Sequence, residues 1–142
     1  ITNPQNLGMI IRSVAASPMD GLLLPRKGCA KIDPLVHKAS AGTLFKSSIY
    51  HCPTIESGLK SLRSKGYQLI GLSGGVDRSL GDTGTANEKI VFILGNETTG
   101  ISEPVLALCD GLACIPLQSG VESINVAMAA TLVAFRKTFS GT

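Results

Sequence analysis

Apolar residues fall along this chain in two alternating rhythms. Short unbroken runs (Gly21 to Leu24, Ile49 to Cys52, Tyr67 to Leu72, Ile90 to Leu94, Leu112 to Ile115) alternate with stretches in which apolar positions recur every three or four residues. The first rhythm is that of strands covered on both faces, the second that of amphipathic helices. In residues 3–16, Leu7, Ile10, Ile11 and Val14 share one helical face behind Asn-Pro turn chemistry, which predicts a helix with Asn6 as its cap. Asp33-Pro34 predicts a short helix through His37 and Lys38, followed by the close turn Ser40-Ala41-Gly42. Thr54 opens a third helix, with Ile55, Leu59 and Leu62 inward and Gly66 as its stop, and Ser102 opens a fourth that runs to about Cys109. The run Lys89 to Leu94, largely β-branched and apolar, is expected in the middle of a parallel sheet. Residues 73–88, rich in Gly, Ser, Asp and Thr, are expected to form a mobile surface loop. The fold class is α/β, a mostly parallel sheet flanked by helices.

The last element, Ile115 to Phe135, is the one the others are arranged around. A strand end passes through a polar loop containing Gly120 into a helix, Val126 to Phe135, that is apolar on nearly every side and must therefore be buried. Its head carries Glu122, Ser123 and Asn125, where open α/β sheets bind ligands. These three side chains taken alone are better explained as a helix cap, which every helix needs, than as a site. Glu97, just past the run 90–94, is either a loop acid in solvent or a placed carboxylate. Arg12, one turn after Gly8, reads on its own as a surface arginine; a glycine in a first turn costs about 1 kcal/mol against alanine, so something approaches the helix closely there. No G-x-x-x-x-G-K-[ST] and no G-x-G-x-x-G after a strand is present, which argues against a P-loop nucleotidase and a dinucleotide-dependent oxidoreductase.

Composition adds a domain count and a charge pattern. At 142 residues, 44% of them hydrophobic, the chain makes one domain with a sizeable core. Its longest apolar run falls well short of the roughly 20 residues of a membrane span, and no leader pattern opens it, so a soluble protein is expected. Cys29, Cys52, Cys109 and Cys114 form no C-x-x-C pair and lie apart from His37 and His51, so free thiols, no metal and a cytoplasmic location are expected. Residues 1–65 hold nine Lys or Arg against three acids, and residues 66–142 four against seven. A basic half beside an acidic one is compatible with a polyanionic partner.

Three segments, N-P-Q-N-L-G-x-x-x-R (Asn3 to Arg12), I-L-G-N-E-T-T-G-I-S (Ile93 to Ser102) and I-P-L-x-S-G-V-E-S-I-N-V-A (Ile115 to Ala127), together with K-A-S-A-G-T-L-F (Lys38 to Phe45), resemble the motifs of the SpoU (TrmH-like) RNA ribose 2′-O-methyltransferases of the SPOUT superfamily. The resemblance implies a C-terminal trefoil knot and a homodimer packed through knot-side helices. It also implies S-adenosylmethionine-dependent methyl transfer to a ribose 2′-hydroxyl of rRNA or tRNA. Carried over by position, it implies Leu94, Gly95, Asn96, Glu97, Ile115, Leu117, Ser123, Ile124 and Asn125 as cofactor-binding residues, and Arg12, Asn6 and Glu97 as catalytic ones. Arg12 is expected to bind an RNA phosphate and stabilise the developing alkoxide, oriented by Glu97 or Asn6, with Glu97 or water taking the proton. Thr98 stands where the family commonly has Gly, and Ile124 where it commonly has Leu. Residues 1–142 are expected to form the catalytic domain without its first strand and any upstream RNA-binding domain. The competing expectation is a dimeric RNA-binding module that kept the fold and lost the chemistry.

Overall fold

A computed structural model of the chain describes residues 1–84 and 88–138. Helix α1, Pro4–Ala15, begins three residues earlier than a cap at Asn6 implies. Asn3 is the cap, accepting the Asn6 backbone N–H at 3.0 Å. Pro4 takes the first helical position, where a missing N–H costs nothing. The expected cap, Asn6, thus lies inside the first turn, and its side chain is released for other partners. Gly8 does mark a close approach: a β-carbon there would stand 2.5 Å from Ala39 Cβ and 2.7 Å from the Val36 carbonyl of helix α2, Pro34–Ala39.

Strands β1, Leu22–Pro25, and β2, Ile49–Cys52, pair in parallel, with α2 and a 3₁₀ turn, Thr43–Lys46, between them. Asp33 caps α2 by accepting the Val36 N–H at 2.9 Å. Helix α3, Ile55–Ser64, opens on a reciprocal Thr54–Ser57 capping box and ends before Gly66 at φ +84°, both as the sequence predicts. Strands β3, Gln68–Leu72, β4, Ile90–Ile93, and β5, Gly111–Ala113, form a second parallel sheet in the order β4-β3-β5. Helix α4, Glu103–Leu106, stops short of the expected Cys109, and α5, Val126–Phe135, closes the domain against α1.

Two expectations change here. The described strands form two sheets, and β4 is an edge strand of its sheet, with β3 in the centre. The apolar run of β4 nevertheless has a physical reason. Its free edge faces β1 across a slot of about 430 Å³, walled by Leu22 to Pro25 and Ile90 to Leu94, with α1 and α5 contributing Leu7, Ile10 and Ala130, and α3 contributing Ile55 and Leu59. The slot therefore has apolar walls on each strand and covering helices, as a gap between two parallel strands would.

Part of the loop expected to be mobile, residues 78–83, is tied to the domain. Leu80 donates its N–H to Cys114 O at 2.7 Å, Cys114 donates to Arg78 O at 2.8 Å, and the Leu80 and Thr83 side chains are buried. Its residues 85–87 lie outside the described part.

Helix α5 is only partly interior. Ala127, Ala129, Ala130, Val133 and Ala134 are buried, and the small alanines let α1 come close enough for Ser13 and Thr131 hydroxyls to bond at 2.7 Å. Met128 and Leu132 stay 63% and 47% exposed.

Candidate active site

Three segments remote in sequence converge on one hydrogen-bonded chain. The Asn125 amide donates to Asn6 Oδ1 at 3.1 Å, and the Asn6 amide donates to Glu97 Oε1 at 3.4 Å. Glu97 also accepts the backbone N–H groups of Thr2 and Asn3, each at 3.1 Å. Asn125 Oδ1 meanwhile caps α5, accepting Ala127 N–H at 2.8 Å and Met128 N–H at 3.4 Å. One asparagine therefore serves as both helix cap and link in the site, so the two readings of the helix head are compatible.

Partial burial works to raise the Glu97 pKa. Backbone N–H donors, its own and those of Thr2 and Asn3, together with the Asn6 amide, outweigh that and hold the carboxyl at about 2. A carboxylate with so weak an affinity for protons is a poor general base and a good anchor. The sign follows: folding gains from Glu97 above its unfolded pKa, near 4.3, and loses that gain as pH falls towards about 2. Glu97→Gln is expected to lower stability at pH 7 by on the order of 1 kcal/mol, its solvent exposure included, and to flatten the loss between pH 5 and 2. Thermal melts across that range check it; parallel curves for the two proteins would refute the assignment.

The turn after β4 is built by Asn96, whose Oδ1 accepts the N–H groups of Thr98 at 2.8 Å and Thr99 at 3.2 Å, while its backbone pairs with Gly100. Thr98 sits in this turn without a positive φ, so the threonine in place of glycine leaves the turn unstrained. Gly95 packs against the returning backbone of Gly100 and Ile101. Leu94 joins the apolar cluster of Ile10, Val14 and Ala127.

The third motif shapes a separate cavity of about 500 Å³, lined by Gly74, Gly75, Cys114, Ile115, Leu117 and Glu122 among others. Among the described residues, the backbone N–H and C=O groups of Ile115 and Leu117 have no hydrogen-bond partner. Open backbone donors and acceptors beside an apolar wall suit a flat heteroaromatic ring with its own donor and acceptor edge. Ser123 is exposed and Ile124 half-buried, and neither side chain takes part in the Asn6–Glu97–Asn125 hydrogen bonds.

Arg12 stands apart. It is exposed, and among the described residues its guanidinium has no acidic partner. It contacts neither Glu97 nor Asn6, contrary to the expected orienting role, because six residues along a helix put it about 9 Å further on and on another side. Its side is that of Gly8, facing α2 and the 3₁₀ turn. Sequence reasoning missed the contribution of Thr2 and Asn3, whose part is played mainly by backbone N–H groups that leave no trace in residue type, the Thr2 hydroxyl adding a donor to Glu97 at 3.4 Å.

A parallel α/β domain with polar side chains gathered past the carboxyl ends of its strands defines a ligand-binding class of protein. Its fold superposes on SpoU methyltransferase AviRb of Streptomyces viridochromogenes, solved with the cofactor AdoMet, with TM-score 0.85 and 29% identity over 99% of this chain and 56% of that one. A structure concerned with 2-OH methylation of C/U34 on tRNA matches with TM-score 0.82 and 25% identity over 96% of this chain and 88% of that one. In sequence, proteins named as uncharacterized tRNA/rRNA methyltransferases of Mycobacterium ulcerans and Mycolicibacterium smegmatis are 32% and 34% identical across 94% of this chain. The chain spans about 43% of the former's length and 42% of the latter's. The SpoU rRNA methylase family model matches residues 1–135, and the chain belongs to that family.

Proposed function

We propose that this domain transfers a methyl group from S-adenosylmethionine to a ribose 2′-hydroxyl of rRNA or tRNA. The observation that carries the proposal is the Asn125–Asn6–Glu97 chain, which ties the heads of α1 and α5 to the turn after β4 on a SpoU fold. When bound, the cofactor supplies a methyl group activated on a sulfonium. Ile115 and Leu117 offer it their open backbone groups, Gly95 a turn with no side chain, and Asn125 the fixed polar edge of the site. Arg12, exposed and without an acidic partner, holds an RNA phosphate and the oxygen that becomes nucleophilic. With Glu97 held near pKa 2, the hydroxyl proton leaves to water.

The test is labelled methyl transfer to pooled RNA, followed by mapping of the modified ribose. Transfer to a base nitrogen or carbon would overturn the 2′-O assignment. No binding of S-adenosylmethionine by calorimetry to a folded protein would favour the RNA-binding module without chemistry.

Three further features belong to the same reading. The backbone ties between Arg78, Leu80 and Cys114 close the loop after β3 over the segment that leads to α5, which supports a trefoil knot there. The slot between β1 and β4 fits a strand arriving from before Ile1: the Ile1 carbonyl accepts Ala30 N–H at 2.8 Å, after β1, and the next residue, Thr2, donates its N–H to Glu97 at 3.1 Å, after β4. Any RNA-binding domain would lie upstream of it. Finally, Met9, Met128 and Leu132 expose a joint apolar face on either side of the Ser13–Thr131 bond, the face a second copy would cover in a homodimer. Met128→Lys with Leu132→Lys is expected to convert a dimer to a monomer in sedimentation velocity; a monomeric parent protein would overturn the homodimer.

A further inference from the structure

The basic half of the chain keeps an unexplained aromatic. Phe45 lies 82% exposed on the 3₁₀ turn Thr43–Lys46, while its neighbour Leu44 packs into the cluster of Leu7, Ile11 and Val36. Leu44 therefore anchors the turn and Phe45 cannot rotate inward with it. The reversal that presents the ring is itself strained, since Ala41 at φ +50° precedes Gly42 at φ +75° and only the second is a residue to which that region is free. The turn is tied at both ends, by Thr43 Oγ1 to Ser40 O at 2.7 Å and by Ser47 Oγ to Ile11 O at 3.1 Å on α1. The His37 and Phe45 rings meet in a T-shaped contact at 5.5 Å between centroids and 62° between planes, which fixes the Phe45 ring while most of it stays open to solvent.

Charge says what the face is for. Between residues 26 and 46 stand Arg26, Lys27, Lys31, Lys38 and Lys46, all exposed, against Asp33 alone, which is engaged as the cap of α2. Lys46 adjoins the ring in sequence, and Lys38 follows His37. The platform also borders the side of α1 from which Arg12 projects. A rigid, uncovered aromatic face among cations is the arrangement on which unstacked bases of single-stranded nucleic acid settle, the ring stacking and the lysines meeting phosphate. We propose that Phe45, edged by His37 and flanked by Lys38 and Lys46, is a stacking platform for an unpaired RNA base next to the methylated nucleotide. The proposal rests on the RNA methyltransferase reading and adds the form of RNA recognised.

Base–aromatic stacking of about 1–3 kcal/mol corresponds to roughly 5- to 150-fold in binding. The experiment reads binding and transfer separately. Fluorescence anisotropy with a labelled oligouridylate of about 12 nucleotides is expected to show at least roughly tenfold weaker binding for Phe45→Ala, and near-parental binding for Phe45→Tyr. On a methylatable RNA, the same alanine variant is expected to raise KM by a similar factor, with kcat and S-adenosylmethionine affinity within about twofold. Equal oligouridylate affinity of Phe45→Ala and parent, or no affinity in the parent, overturns the platform. So does a change from dimer to monomer in Phe45→Ala, which would make the ring a contact between copies. Phe45-dependent binding without any methyl transfer by the parent upholds the platform and overturns the function proposed for the domain.

Discussion

Arg12→Ala is expected to reduce methyl transfer to RNA by about 10²–10³-fold or more while leaving S-adenosylmethionine affinity within about twofold. The separation follows from where the residue sits. Arg12 is exposed on the outer part of α1, beyond the hydrogen-bonded chain of Asn6, Glu97 and Asn125, and the cavity at Ile115 and Leu117 does not include it. Its loss should empty the RNA side of the site and leave the cofactor side standing. Arg12→Lys distinguishes charge from shape: a lysine keeps the cation but cannot make a two-pronged grip on phosphate, so recovery should be small. Single-turnover transfer beside calorimetric titration measures the two quantities. Equal loss of both would make Arg12 a structural residue and return the chemistry to another group.

Gly95→Ala is expected to act in the opposite pattern, weakening cofactor binding by more than about tenfold and the fold by about 1–3 kcal/mol. A β-carbon at residue 95 would lie 2.5 Å from Ile101 N and 2.7 Å from Gly100 Cα, and both are backbone atoms that cannot swing aside. Relief requires the turn to open, which breaks the paired Asn96–Gly100 bonds of 2.8 and 3.0 Å and shifts Glu97 off the N–H groups of Thr2 and Asn3. A melting temperature lower by roughly 5–10 °C, with calorimetry showing the lost affinity, is the expected result. Parental stability and affinity would mean that the turn has slack the packing does not show.

Helix starts were legible in the sequence because capping is local chemistry. Asp33 and Thr54 each accept the N–H three residues on, as their residue types and the apolar runs behind them indicate. The exception, Asn3 for Asn6, was decided by Pro4: two asparagines compete, and the proline accepts only the first helical position. The site was not legible from periodicity at all. Asn6 and Glu97 are 91 residues apart and Asn6 and Asn125 are 119 apart, and no local rule links polar residues over such distances. The family resemblance named them together, and the geometry shows how they meet. The resemblance did not reveal that Arg12 points away from them, because that depends on turns of a helix. Phe45 escaped for a different reason: in a sequence its side chain has the same hydropathy whether it fills a core or faces solvent.

The slot between β1 and β4 also bears on which strands can add to this fold. Two strand edges with free backbone groups confront each other across it, and an open apolar edge is a template on which foreign strands add. A strand arriving from before Ile1, as proposed above, would block both edges at once. With such a strand, resistance to aggregation and the joining of the two sheets would be one event, gained or lost together.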